Sequence, residues 1–314
     1  MTLLLALSGW DLESWRARFR RHLPGMDIVA PGEPFDRRSV RFAASWKHPE
    51  GTLAGLPVLE AIFSLGAGVD HLLTDARLPD VPIARVVDPD LTARMSEYVV
   101  MHCLMLLRQQ RRYDRQQVAA QWLDDREQPA ARHVRVGILG LGVLGQDAAA
   151  RLAAMGFDVA GWSRSPKALA GLASFAGTEQ LAPFLARTDI LVNLLPSTPD
   201  TRGFLNRRLF AGLARDGRLG APMIINAGRG ATQAEDDILA CLDDGTLGHA
   251  TLDVFSIEPL PDASSFWRHP KVTVTPHNAA MSEPDAICGL IAAQIARLER
   301  GEPLQHRVDA RRGY

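Results

Sequence analysis

The chain has 314 residues, 46% of them hydrophobic and 23% charged, a balance that suits about two folded domains and excludes a disordered chain, a collagen-like fibre or a small disulfide scaffold. Formal net charge is −1, so nothing points to nucleic acid or an anionic membrane surface as a partner. The three cysteines, Cys103, Cys241 and Cys288, are far apart and form no CxxC, which argues against disulfides and a metal site and for buried thiols in a reducing cytoplasm.

In chain order, the run at residues 2–7 has no basic stretch before it and is followed at once by Asp11 and Glu13, so it reads as a first strand and not a signal peptide. No segment reaches the roughly 18 apolar residues of a membrane span. A helix is expected over 12–21, ending before Pro24, with buried strands at 41–46, 59–65 and 83–87. A long helix should run from Ala93 to about Trp122, a stretch free of Gly and Pro, with Val99, Cys103, Leu106 and Leu107 on one face. The polar stretch 124–133, with Pro129, reads as a linker. The alternation then restarts, with strands at 134–139, near 158–162, 190–195, 223–226, 249–254 and 272–275. Residues 198–202 are rich in turn formers, and 284–300 is an amphipathic helix that ends at Gly301. Strands alternating with helices imply parallel sheets in two α/β domains.

The restart carries Gly140-Leu141-Gly142-Val143-Leu144-Gly145 between an apolar strand and an alanine-rich helix at 146–155. In that context G-x-G-x-x-G is a dinucleotide-binding fingerprint. Gly140 permits the turn, Gly142 lets the backbone approach a pyrophosphate, and Gly145 lets helix and strand pack. The helix N-terminus, with Val143 and Leu144, offers free N–H groups and partial positive charge. After the next strand an NAD enzyme normally places an acid on the ribose hydroxyls. Here stand Ser163, Arg164, Ser165, Pro166 and Lys167. An acid would repel a 2′-phosphate, whereas Arg164 offers a fork of donors and Ser163, Ser165 and Lys167 add to it, so NADPH is expected over NADH. Of the 35 basic residues only Lys47, Lys167 and Lys271 are lysines, an arginine bias that is mostly compositional.

Three later strand ends carry polar residues: Asn226-Ala227-Gly228-Arg229-Gly230, then Asp253-Val254-Phe255-Ser256-Ile257-Glu258-Pro259, then Thr275-Pro276-His277-Asn278-Ala279. In open α/β sheets, ligands sit at the carboxyl ends of strands. With the glycine loop, and with Ser64-Leu65-Gly66-Ala67-Gly68-Val69-Asp70 near the start, these segments together resemble the D-isomer-specific 2-hydroxyacid dehydrogenase family over essentially the whole chain. The 64–70 loop, Trp162-Ser163-Arg164, residues 193–201 and the Arg-Gly-Tyr terminus look most like its glyoxylate/hydroxypyruvate reductase A branch.

The resemblance implies two Rossmann-like doubly wound domains with the active site in the cleft between them. It gives a substrate domain of 1–96 with 286–314, an NADP-binding domain of 97–285, and a homodimer in which the long helix takes part. It implies that Arg229 clamps the carboxylate and carbonyl of a small 2-oxo acid, that His277 is the general acid, and that Glu258 orients it. Reducing such a substrate needs a carboxylate clamp, a proton for the carbonyl oxygen and a hydride, and these residue types suit the first two. Backbone N–H groups around Ala67 and Gly68 would complete the carboxylate site. Leu195, Pro196, Thr201, Ala227 and Gly228 are expected along the cofactor. Asp253 is expected near the nicotinamide, with helix capping as its alternative. Trp46 and Lys47 are candidates to line the cleft, with packing as the alternative for Trp46. Glyoxylate or hydroxypyruvate is the expected substrate; a bulkier 2-oxo acid of the phenylpyruvate type, or a non-catalytic nucleotide-sensing regulator, are the alternatives. The regulators carry extra tails, and phosphoglycerate dehydrogenases a further domain, for which this chain has no room; formate dehydrogenases pair their histidine with Gln, not Glu.

Overall fold

A computed structural model describes residues 1–310 and Gly313; the Arg-Gly-Tyr terminus, apart from its glycine, lies outside the described residues. The chain divides into two compact units, Met1–Leu91 with Met281–Tyr314, and Thr92–Ala280.

The first unit is built on a parallel sheet of β1 (Thr2–Leu7), β2 (Asp27–Val29), β3 (Val40–Trp46), β4 (Ala61–Ser64) and β5 (Ile83–Ala84), in the order β2-β1-β3-β4-β5. Both faces are covered. Leu3, Leu5, Phe42 and Phe63 point to one side, against Trp15 and Phe19 of the helix Leu12–His22 and against Ile287, Ile291 and Ile295 of the helix Pro284–Glu299. The alternate residues Leu4, Ala6, Ala43 and Ile62 pack on Leu53, Leu56 and Leu72. That two-sided burial is why β3 and β4 read as continuous apolar runs and not as alternating ones.

The second unit holds a seven-stranded parallel sheet. Its strands are β6 (Arg135–Leu139), β7 (Asp158–Ser163), β8 (Ala173–Ala176), β9 (Ile190–Asn193), β10 (Met223–Asn226), β11 (His249–Leu252) and β12 (Val272–Val274), in the order β12-β11-β10-β9-β6-β7-β8. The order reverses between β6 and β9, so the carboxyl end of β6 is a topological switch point, where doubly wound sheets bind ligands. One core covers a face with Phe184, Phe210, Ile238 and Phe266; the other face packs Val99, Cys103 and Leu106 with Ala148 and Leu152.

The single long helix expected from Ala93 is instead two. The first runs from Pro89 to Leu107 and the second from Gln110 to Val118, with Gln109 between them in the left-handed region at φ +55°. Side-chain bonds hold that break: Gln109 donates to Asp125 at 2.7 Å and accepts from Arg112 at 2.9 Å. Val99, Cys103, Leu106 and Leu107 are buried, as their spacing predicts. The stretch expected to be a linker lies inside the second unit and ends in a turn at Ala131–His133, leading into β6. The strands at 59–65 and 83–87 are shorter than expected, and β2 and β8 have no counterpart among the expected strands. Among the described residues no helix is long and apolar enough to cross a membrane.

Candidate active site

The glycine loop follows β6 directly. Gly140 sits at φ +99°, where a side chain is strained, and a Cβ there would lie 3.0 Å from the Leu194 carbonyl oxygen. Gly145 is tighter still: a Cβ would stand 2.0 Å from the Gly140 oxygen, so the helix Val143–Ala154 can rest on the turn only without a side chain. Gly142 differs, because a Cβ there would meet nothing within 4 Å. Packing does not require glycine at that position, while close approach of a ligand to the backbone does. Gly142 caps the helix without a side-chain hydrogen bond, leaving its first N–H groups for an anion.

At the end of β7, Ser163 is buried and its hydroxyl donates to the Ser165 carbonyl at 2.8 Å, folding the segment back on itself. Arg164, Ser165 and Lys167 are exposed. Arg164 lies 3.8 Å from Asp200, both side chains substantially exposed at 46% and 80%. Such a pair contributes at most about 1 kcal/mol, so a dianionic phosphate can displace the carboxylate. Leu195 and Ala227 are buried, Pro196 and Thr201 are half-buried, and the Thr201 hydroxyl donates to the Pro196 carbonyl at 2.7 Å. Gly228 is pressed on this wall: a Cβ would be 2.8 Å from the Leu195 oxygen.

Arg229, Glu258 and His277 follow β10, β11 and β12, three neighbouring strands. Gly230 packs on Phe255 so closely that a Cβ would fall 1.9 Å from the Phe255 oxygen, which sets the arginine loop against the segment that leads to Glu258. Glu258 accepts the Phe255 N–H through Oε1 at 3.0 Å and meets His277 Nδ1 through Oε2 at 2.7 Å. The carboxylate thus fixes which ring nitrogen carries a proton on its own side and turns Nε2 outward from the pair. His277 is 44% exposed on its side chain and sits at φ +53°, an uncommon conformation for a non-glycine residue, held by its N–H donating to Asp253 at 2.8 Å.

Asp253 itself is 1% exposed, and its carboxylate serves the histidine loop. Oδ1 accepts from the Thr275 hydroxyl at 2.6 Å and from Asn278 N–H at 3.0 Å, and Oδ2 accepts from Ala279 N–H at 3.0 Å. Tyr98 completes the shell with a 2.8 Å hydroxyl contact to Thr275, and burial pushes its phenol well above the usual range, so it stays protonated. In the first unit, Ala67 and Gly68 lie in the half-buried loop after β4, and Trp46 ends β3.

Residues 100–279 match the model of the D-isomer specific 2-hydroxyacid dehydrogenase NAD-binding domain. That match covers more than half of the chain. The chain belongs to this family. Glyoxylate/hydroxypyruvate reductase A of Serratia proteamaculans is 44% identical over 97% of both chains, and its namesake from Yersinia enterocolitica is 39% identical over the same shares. Among solved structures, an NADPH-dependent glyoxylate/hydroxypyruvate reductase of Sinorhizobium meliloti, in complex with NADP and sulfate, is 48% identical over 100% of this chain and 99% of its own, with a TM-score of 0.93. A probable 2-hydroxyacid dehydrogenase of Rhizobium etli, in complex with NADP, HEPES and L(+)-tartaric acid, is 45% identical over the same shares, with a TM-score of 0.95.

Asn193 and Asn226 open two of the segments noted in the sequence, 193–201 and 226–230, but the network they build is visible only in the fold. Asn193 and Asn226 are register partners at the ends of β9 and β10. The Asn193 amide donates to Asn226 at 2.8 Å and to Thr232 at 2.9 Å, and Asn226 donates to Gln233 at 2.8 Å. Thr232 donates to the Arg229 carbonyl at 2.6 Å, and Gln233 reaches the Val254 carbonyl at 2.9 Å. This buried network fixes the backbone that carries Arg229 and ties it to Val254, in the segment between β11 and Glu258. The available signal was an asparagine ending each of two apolar strands.

Proposed function

We propose that the chain is an NADPH-dependent reductase of small 2-oxo acids, with glyoxylate and hydroxypyruvate as its substrates. The observation that carries this reading is the 2.7 Å pair of His277 Nδ1 and Glu258, beside an arginine loop on the same strand ends and on the same sheet as the glycine loop. NADPH, when bound, supplies the hydride. The chain's residues do the rest. Arg229 grips carboxylate and carbonyl oxygens with its planar fork and stays charged. His277 Nε2 gives a proton to the carbonyl oxygen as that oxygen gains charge, while the Glu258 carboxylate holds the ring through Nδ1. Thr92–Ala280 acts as the cofactor domain, and the N–H groups of Ala67 and Gly68 hold the substrate carboxylate. The strongest support from relatives is the level of identity with named glyoxylate/hydroxypyruvate reductases along the full chain.

The cofactor preference rests on residues 163–167, where two hydroxyls, Arg164 and Lys167 stand without an acid. The test is turnover with glyoxylate, hydroxypyruvate, pyruvate and phenylpyruvate, each with NADPH and NADH. Glyoxylate or hydroxypyruvate with NADPH should have the highest kcat/KM. Equal efficiency with NADH removes the 2′-phosphate assignment, a phenylpyruvate maximum shifts the substrate class, and no turnover at all favours a nucleotide-sensing regulator.

The enzyme works as a homodimer in this reading. The helix Gln110–Val118 buries none of its residues, and Val118 at its end and Trp122 beyond it are 90% and 96% exposed, an apolar surface suited to a second copy. Light scattering at micromolar concentration should give twice the 34.3 kDa chain mass, and a monomer mass would end this part of the proposal. Three free, buried thiols fit a reducing cytoplasm.

A further inference from the structure

Two buried serines end adjacent strands of the first sheet, and each ties down the loop that follows it. Ser45 and Ser64 are register partners on β3 and β4, and neither has any solvent exposure. The Ser64 hydroxyl donates to the Gly68 carbonyl at 2.8 Å and accepts the Gly66 N–H at 3.3 Å, so it closes the 64–68 loop from inside. Ser45 does the same through a relay. Its hydroxyl meets His48 Nδ1 at 2.6 Å, and His48 Nε2 meets Asp75 Oδ2 at 3.1 Å. Asp75 also accepts Gly51 N–H at 2.9 Å and Arg77 N–H at 2.8 Å. Burial alone would raise the Asp75 carboxyl, but the donors on it outweigh burial and hold it below its ordinary value. It is therefore the ionised acceptor. The ring donates from Nε2, and Nδ1 is left to accept the Ser45 O–H.

This Ser–His–Asp arrangement has the residue types of a hydrolytic triad and not its accessibility, since all three side chains are buried and the hydroxyl has no exposed face for an acyl group. What it encloses is the turn Trp46-Lys47-His48, in which Lys47 takes φ +49°. Trp46 is packed on by three groups. Trp10 stacks on it at 4.9 Å and 10°, His71 packs against it at 4.6 Å, and Gly66 is so close that a Cβ would lie 2.6 Å from its ring. His71 also reaches back to the Ser45 carbonyl at 3.4 Å. The indole is thus the wall against which Gly66, the start of the 66–68 loop, rests.

We propose that Ser45, His48 and Asp75 are positioning residues, which lock Trp46 against Gly66 and so hold the Ala67 and Gly68 N–H groups ready for the substrate carboxylate. The inference rests on the reading of that loop as the carboxylate site. Preorganised donors cost nothing to order when the anion arrives, so loosening them weakens substrate binding more than the proton and hydride steps. The conformation of the loop is then a property of a buried chain that touches no ligand.

The test uses the whole enzyme with NADPH and glyoxylate, in Ser45→Ala and Asp75→Asn variants, the second kept in case the first repacks silently. Each should raise KM for glyoxylate by about three- to tenfold, the effect of one buried neutral hydrogen bond, with kcat and the KM for NADPH near wild type. Hydrogen exchange at Gly66–Gly68 should speed up in the substrate-free enzyme. Gly66→Ala should raise KM in the wild-type background and add little once Trp46→Ala is present, because the ring it would strike is gone. Unchanged exchange in both relay variants overturns the positioning role. Faster exchange with unchanged KM overturns instead the assignment of the loop to the carboxylate and leaves the relay intact. Variants that lower kcat and leave KM alone also overturn the inference.

Discussion

His277 is bound to its surroundings at three points: a positive-φ backbone, an N–H donated to the Asp253 carbonyl, and a ring nitrogen on Glu258. Its freedom to rotate is spent before any substrate arrives, which is what general acid catalysis needs. Removing the ring by His277→Ala should cut kcat by about 10²- to 10⁴-fold and leave NADPH binding, read by fluorescence titration, close to wild type. Glu258→Gln keeps an acceptor for the Nδ1 proton but removes the carboxylate beside the ring, so kcat should fall by about tenfold or more while the KM for NADPH stays near wild type. An unchanged kcat would take the positioning role away from Glu258. Arg164→Ala should lower kcat/KM for NADPH about tenfold or more while leaving the NADH value within about twofold, because only the phosphorylated cofactor offers a partner for its fork. Equal losses with both cofactors would mean that Arg164 holds the loop and does not read the phosphate.

The glycine loop shows at the scale of an element how much the motif said and where it stopped. The order strand, G-x-G-x-x-G, helix was legible, because a turn at a switch point needs glycines at fixed offsets whatever the rest of the sheet does. The division of labour among those glycines needed coordinates. A methyl at position 145 runs into the Gly140 carbonyl, and a methyl at 142 meets open space. Gly145→Ala should therefore destabilise the fold by about 1–3 kcal/mol, read as a lower Tm without cofactor. Gly142→Ala should leave that Tm nearly unchanged and weaken NADPH binding by about tenfold or more, because the added methyl occupies space that only a ligand uses. If both variants lower Tm alike, the space beside Gly142 is not a ligand's. Other elements were less legible for physical reasons. Gln109 breaks a helix without Gly or Pro, since side-chain bonds to Arg112 and to the more distant Asp125 hold it left-handed. β2 and β8 are short edge strands of three and four residues, too brief for a pattern to show. The segments that carry Arg229, Glu258 and His277 were readable as the ends of neighbouring strands because motif order is a property of the chain. The Asn193–Asn226–Gln233 network and the Ser45–His48–Asp75 relay were not, because each joins residues that only strand register or folding brings together.

At the scale of the whole molecule, a net charge of −1 hides a local surplus of cations. Beneath the amino ends of β10, β11 and β12, a cavity of about 420 Å³ is lined by Arg111, Arg115, Arg218 and Lys271 together with His102 and His249. Burial first, and then the nearby Arg111 and Arg115, push the His249 pKa down from 6.5 to about 4. Burial lowers His102 and His306 in the same direction. The sign follows from linkage. A histidine that resists protonation only when folded leaves the unfolded chain binding more protons, so its contribution is complete above the unfolded pKa and is lost as pH falls toward the folded one. Between pH 6.5 and about 4, His249 alone should remove stability at up to about 1.4 kcal/mol per pH unit, on the order of 3 kcal/mol in all. Carboxylates held below their ordinary values, such as Asp75, Asp216 and Asp285, act lower, since their contribution fades only as pH drops below their unfolded values of 3.8. The two windows are therefore separable. Urea unfolding measured from pH 7.5 to 5 should lose stability mainly below about pH 6.5, and His249→Gln, which can keep a partner in Thr273, should flatten the slope there by up to about one proton. An identical slope in the variant would show that His249 is not held neutral by the fold.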